Sequence, residues 1–209
     1  MTADKPDLQA HILNLIVSGQ LRPGDLVDES AITARFGVSK TPLREAVLRL
    51  EALDILQKRP RAGAAVARLD LPDLIELIEV HSELEGAAAY HAARRATPLQ
   101  LSDLRQAATA YESAPPAQTY DRNLAFHFAV FTCANNATLS RMLDTTGVRL
   151  VAYFRAQESL RTGREQAVAE HDAIVTAISR GDADAARGAM RHHAEIASNT
   201  LLDILSLMR

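Results

Sequence analysis

The chain carries one cysteine, no tryptophan, and aromatic residues at only 4% of its 209 positions. A lone Cys excludes an internal disulfide framework and fits a reducing cytoplasm. Scarce aromatics beside abundant Ala, Leu and Arg favour helices over a β-sandwich. No apolar run approaches the ~20 residues of a membrane span. Residues 1–10 include Asp4, Lys5 and Asp7 and lack the apolar stretch of a signal peptide. The expectation is a cytoplasmic protein with no membrane partner. An overall charge of −3 would also argue against a nucleic-acid partner if it were spread evenly.

It is not spread evenly. Residues 1–68 carry 10 Lys+Arg against 8 Asp+Glu, whereas residues 69–209 carry 13 Arg against 18 acids. Every Lys lies at or before Lys58, and six of the seven His lie at or after His81. At roughly 100–200 residues per domain, this asymmetry divides the chain into residues 1–69 and residues 70–209.

The first part contains three helical stretches and a hairpin. Leu8, Ile12, Leu15 and Ile16 recur at helical spacing, and Gly19 ends that run. Arg22-Pro23-Gly24-Asp25 is a turn. Asp28 is placed to cap a helix from Glu29 to Phe36, which Gly37 stops. Ser39 or Thr41 caps a third, with Pro42 in its first turn and Leu43, Val47 and Leu50 as its apolar stripe. Lys40, Arg44 and Arg49 lie mostly off that stripe. Two helices joined by a short turn make a helix-turn-helix, here with the bases on the second. Residues 55–59, then Pro60-Arg61-Ala62-Gly63, then residues 64–67 form strand, basic turn and strand, a wing.

This pattern suits double-stranded DNA. The N-terminal end of such a second helix enters the major groove, where Arg makes two parallel hydrogen bonds to guanine. Lys58, Arg59 and Arg61 can reach phosphates or a minor groove. The candidate DNA contacts are Arg35, Ser39, Lys40, Thr41, Arg44, Arg49, Arg59, Arg61 and Gly63. Residues 8–69 also resemble the winged helix of the GntR family of bacterial transcription regulators. The resemblance rests on Gly19-x-Leu21-x-Pro23-Gly24, Phe36-Gly37-Val38-Ser39, Thr41-Pro42-x-Arg44-Glu45-Ala46, Leu50-Glu51 and Gly63. Lys40 stands where that family usually has Arg, and Asp54 where a Gly commonly ends the recognition helix. The helix-to-wing turn is therefore expected to differ.

Residues 71–209 show helical stripes and few turn signals. Leu74, Leu77, Ile78, His81, Leu84 and Glu85 share one side of a helix near 71–95. Further helices are expected from Thr97-Pro98 to about Tyr111, and at about 119–134, 138–158, 166–180 and 183–207. The breaks are Asn135-Asn136, Arg161-Thr162-Gly163 and Gly181-Asp182. The predicted fold is mainly α, a winged helix-turn-helix followed by an all-α six-helix bundle. In that bundle His127 lies on a stripe with Leu124 and Phe128, and Asn123 precedes it by four residues. His171 and His193 lie on two other helices. These side chains are either ordinary core and surface residues or ligands that converge on a transition metal, and spacing alone does not choose.

The order Asn123-x-x-Phe126-His127, Asn136-x-x-Leu139, Glu170-His171-x-x-Ile174 through Gly181-Asp182, and Met190-x-x-His193 resembles the FCD effector domain, in its short, VanR-like form. The resemblance implies a metal site of one Asp and three His beneath a pocket for a small carboxylate. His127, His171 and His193 carry over as ligands of a divalent ion, Zn or Ni. Asn123 takes the place of the Asp, which removes the only anionic ligand, so the ion should be easier to strip. His81 stands where the resemblance has an Arg, four residues before Glu85. His81, Glu85 and Arg149 are the candidate effector contacts. The reading is a homodimeric, ligand-responsive regulator that grips a palindromic operator and leaves it when a small organic acid binds. Two alternatives stand beside it: a DNA-binding dimer with no metal or effector, and a metal-dependent phosphohydrolase using His171-Asp172.

Overall fold

The computed structural model of the chain describes residues 7–158 and 164–207. They fall into two compact units, residues 1–74 with 147–152, and residues 75–146 with 153–209. The break expected at Arg161-Thr162-Gly163 lies outside the described residues.

In the first unit α1 spans Leu8–Val17, α2 Glu29–Phe36 and α3 Lys40–Glu51. Asp7 accepts from the Ala10 amide and Asp28 from the Ala31 amide, each satisfying a first-turn donor with no helical partner. Gly37 ends α2 with φ +64°. The apolar sides of α1 and α3 pack together around the buried Ile12, Ile16, Leu43, Val47 and Leu50. Asp54 replaces the expected glycine without changing the kind of turn: it takes φ +54° itself. The Ile55 amide donates to the Leu50 carbonyl and the Asp54 amide to the Glu51 carbonyl, the paired bonds of a Schellman ending. Asp tolerates that conformation better than most residues. Strand β1 (Leu56–Arg59) then pairs antiparallel with β2 (Gly63–Val66), Arg59 opposite Gly63. A third short segment around Leu26 bridges to Ala65.

The second unit contains α4 (Leu71–Arg95), α5 (Pro98–Glu112), α6 (Thr119–Cys133), α7 (Ala137–Glu158), α8 (Arg164–Arg180) and α9 (Ala183–Leu207). Thr97 and Gln100 form a reciprocal capping box at the start of α5. Asn136 and Asp182 accept from the Leu139 and Ala185 amides at the starts of α7 and α9. One core draws on all six helices: Ala88 and Ala92 of α4, Leu104, Phe126, Leu143, Ile174 and Met190. The small residues of α4 let its neighbours approach closely. Each fully buried Leu, Ile or Phe contributes ~1.5–3 kcal/mol. Among the described residues five buried polar ones lie beside this core, His81, Glu85, Glu170, His171 and His193. Buried ions cost several kcal/mol each unless paired, so their grouping calls for an explanation beyond stability.

Candidate DNA interface and candidate metal centre

The left-handed Gly37 turns the chain so that α3 starts on a new course, with Ser39 at its N-cap position. Ser39 makes no side-chain cap bond, which leaves the first amides of α3 open to an anion such as a phosphate. Leu43, Ala46, Val47 and Leu50 face inward, while Ser39, Lys40, Thr41, Arg44 and Arg49 are exposed. At the wing tip the Ala62 amide donates to the Arg59 carbonyl at 3.1 Å. Pro60 then sits in the second position of the turn and Arg61 in the third, with φ +65°. That is the arrangement of a type II turn, whose third position favours Gly. Gly63 has φ +93°, and a Cβ there would come within 3.3 Å of the Glu29 carboxylate, so its place in the wing is conformational. Arg35, Arg59 and Arg61 are exposed as well. Arg35 lies over the Phe36 ring at 5.7 Å. Among the described residues none of Lys40, Arg44, Arg49, Arg59 and Arg61 is tied up in an ion pair.

In the helical unit, α6, α8 and α9 bring His127, His171 and His193 together, with one ring nitrogen of each lying within 4.8 Å of the others. The inward side of α6 runs through Asn123, Phe126, His127 and Val130. Phe128, expected on the His127 stripe, is instead 45% exposed, because one residue along a helix is a 100° turn. Phe126 takes its place and stacks on the His171 ring at 3.8 Å and 17°. Tyr111 of α5 packs on the same imidazole at 4.6 Å.

Two carboxylates stand behind these rings. Glu170 Oε2 lies 2.7 Å from His193 Nδ1, and Glu85 Oε1 lies 2.6 Å from His127 Nδ1. The second contact is bent off the ring N–H axis, a close polar contact rather than a straight hydrogen bond. Burial alone would raise the Glu85 carboxyl, but the His127 and His81 rings outweigh it and hold it at about 2. Burial pushes His193 below the usual histidine range, against the opposing pull of Glu170.

A carboxylate only accepts, so the tautomer with hydrogen on Nδ1 is the one that suits each contact, and it turns a bare Nε2 inward. Those Nε2 atoms face each other at 3.3 Å. Two lone pairs so placed repel unless a proton or cation lies between them. Two nitrogens on one tetrahedral Zn²⁺, each at ~2.0–2.1 Å, would be ~3.3–3.4 Å apart. One helical turn before His127, Asn123 Oδ1 is buried and accepts no hydrogen bond among the described residues. Three imidazole nitrogens and an unsatisfied amide oxygen fit a borderline transition ion.

Of the effector candidates, His81 and Glu85 lie one turn apart on α4, with Glu85 against the His127 ring. His81 Nδ1 lies 2.7 Å from Thr146 Oγ1, while its Nε2 is 3.7 Å from Glu85, too far for a hydrogen bond. Burial pushes its pKa down, with Glu85 opposing. Glu85 is occupied by His127. Arg149 falls in the segment 147–152 that groups with residues 1–74, and its Nε is buried without a hydrogen-bond partner among the described residues. Arg155 pairs with Asp121 at 2.9 Å. Asp172 is exposed while His171 is buried, so the His-Asp dipeptide does not converge on one site. His192, next to the buried His193, is exposed. Glu170 carried no role in the sequence reading. The available signal was its place in the stripe Ala167, Glu170, His171, Ile174, where a charged residue occupies a core position.

Residues 6–66 match the family of bacterial regulatory proteins called gntR, and residues 76–196 match the FCD domain. A probable D-xylose utilization operon transcriptional repressor of Paenarthrobacter nicotinovorans is 33% identical over 184 residues, covering 85% of this chain and 80% of that protein. The HTH-type regulator LutR of Bacillus subtilis is 25% identical, with 86% and 92% covered. Among solved structures, Escherichia coli McbR/YncC superposes with a TM-score of 0.82 at 21% identity, over 98% of this chain and 100% of that one.

Proposed function

The chain belongs to the GntR family of bacterial transcription regulators and carries an FCD domain; on that premise we propose that it is a metal-dependent, ligand-responsive repressor. Its relatives are DNA-binding regulators rather than enzymes. In this reading residues 1–69 bind DNA and residues 70–209 sense the ligand and hold a homodimer, in the cytoplasm. One winged helix covers only a half-site, so a dimer on a palindrome supplies the affinity. Lys40, Thr41 and Arg44 lie along the groove edge of α3, with Ser39 and the open amides of α3 on a phosphate. Arg35, Arg49, Arg59 and Arg61 add backbone or minor-groove contacts, and Gly63 shapes the wing.

His127, His171 and His193, with Asn123 Oδ1, would hold a divalent ion such as Zn or Ni. The convergence of those three imidazoles beside an unsatisfied buried amide oxygen carries the sensing part of this reading. When bound, the ion supplies a Lewis-acidic point for a carboxylate oxygen. The organic-acid effector is a small carboxylate, and its entry loosens the grip on the operator. His81 and Glu85 shape the site around His127 and, with Arg149, are the candidates to sense the acid.

The DNA half is tested on duplexes selected from a random pool, by fluorescence anisotropy across a salt series. Arg44→Ala should weaken the selected sequence by roughly 1–3 kcal/mol and relax its preference at one base pair. Arg61→Ala should weaken all sequences alike and lower the salt slope by about 1. Unchanged binding by Arg44→Ala would mean that α3 does not read the groove.

A further inference from the structure

Glu85 and Glu170 sit on different helices, α4 and α8, at 5% and 9% exposure. Neither belongs to the set of nitrogen and amide-oxygen ligands. Each lies against the outer nitrogen of one ligand imidazole, at 2.6 Å and 2.7 Å. We propose that these two carboxylates are positioning residues for the metal, acting through His127 and His193, and that they supply the negative charge Asn123 does not. This rests on the metal reading above.

The argument has two parts. The first is orientation. Which ring nitrogen of a histidine is left bare depends on what its other nitrogen meets. An accepting oxygen at each Nδ1 leaves each Nε2 bare, and both Nε2 atoms point to one spot. His171 is oriented by other means, stacked on Phe126 and packed on Tyr111. Without Glu85 or Glu170, His127 or His193 could turn over or exchange tautomer, and a donor N–H would face the ion.

The second part is charge. Three neutral imidazoles and an amide leave a divalent ion uncompensated in a buried place, where an isolated charge is expensive. Two carboxylates one bond further out offset the two positive charges. The loss of an anionic first ligand at position 123 is therefore met by anions behind the rings, and the ease of stripping expected from Asn123 alone is reduced. Such outer carboxylates typically carry ~10–100-fold in metal affinity.

The test uses full-length protein without a polyhistidine tag. Zn²⁺ affinity is measured by competition with a chromophoric chelator, and the Co²⁺-loaded protein is followed by its visible absorption. Glu85→Gln and Glu170→Gln keep size and an acceptor oxygen but lose the charge. Each should weaken Zn²⁺ roughly 10–100-fold and shift the Co²⁺ bands, and the double variant should lose more than either. Glu83→Gln is the control: Glu83 lies on the same α4 but pairs with Arg191 at the surface, and its loss should change neither reading. Asn123→Asp should rescue Glu85→Gln, raising its affinity by a larger factor than it raises that of the wild type, because the anion it adds is the one this cluster has lost; a purely structural role for Glu85 predicts equal factors in the two backgrounds. Thermal midpoints of the chelator-treated variants identify any that fail to fold, and for those the rescue variant decides. Wild-type affinity in the double variant, or no rescue, would overturn the inference while leaving the metal site standing. Wild-type protein that takes up neither ion would overturn both.

Discussion

Asn123 and the residues around it show how a site's chemistry is spread beyond the atoms that touch a ligand. Its side chain is neutral, its Oδ1 is buried without a hydrogen bond among the described residues, and it stands one turn before His127. Asn123→Asp places a carboxylate there and should tighten Zn²⁺ at least roughly tenfold, a change worth ~1.4 kcal/mol. His171→Ala removes a proposed ligand that is stacked on Phe126 and should abolish metal retention. Elemental analysis of protein purified without a polyhistidine tag reads both outcomes, and metal retained by His171→Ala would mean the ligand set is wrong. His171 was legible as a ligand candidate from its place in the motif. Glu170, its neighbour in sequence, was not legible as a partner of His193. Adjacent helical residues point 100° apart, and only the packing of α8 against α9 shows where each arrives.

Element boundaries were mostly readable because they depend on local chemistry. Asp28, Gly37 and the Thr97-Pro98 start act through caps and φ preferences, which short stretches of sequence encode. Gly37 offers a clean measurement. A Cβ there would meet nothing within 4 Å, so Gly37→Ala tests only the left-handed backbone at φ +64°. The cost should be ~1–2 kcal/mol, seen as a lower chemical-denaturation midpoint with no change in the shape of the transition. A loss much larger than this would imply that the turn itself rearranges. Asp54 shows the limit of reading by residue type. The substitution of Asp for Gly suggested a different turn, yet the two Schellman bonds close on Asp54 in the same left-handed form. The hydrogen-bond demand of the helix end outweighs the moderate strain of one residue.

For the chain as a whole, two measurements follow. His81 and His193 are buried and held below their ordinary value, so the unfolded chain binds more protons than the folded one once pH falls below ~6.5. Their contribution to stability is intact above that pH and declines as pH drops through the lowered folded values. Glu85 acts in a separate window: its contribution is intact above its unfolded value of 4.5 and is lost as pH falls towards about 2. His81 faces Glu85, His127 and Thr146; His193 faces Glu170, His127 and Glu85. Chelator-treated protein should therefore show a thermal midpoint that falls in two stages on acidification, near pH 6 and again below pH 4. A midpoint flat from pH 7 to 5 would show that these histidines bind protons equally in the folded and unfolded chain. The second measurement is assembly. Light scattering at micromolar concentration should give twice the mass of the 22.7 kDa chain, and a monomer would remove the dimeric operator grip from the proposed function.

The sequence by itself determined the order of helices, the winged hairpin, the surface bases of α3 and the three histidines. Each of these rests on periodicity, capping or a motif confined to a few turns of chain. It also marked the exposed sides, since Lys40, Arg44 and Arg61 carry charges that no helical stripe could bury. Only the tertiary structure decided that Phe126 and not Phe128 faces inward, and that Glu85 belongs to His127. It alone decided that Glu170 reaches His193 from another helix and that His81 turns to Thr146. These are contacts between residues 23 to 65 positions apart. Their reason is the burial of one shared core by six helices, which fixes side-chain directions to within a hydrogen-bond length and is encoded in no single segment.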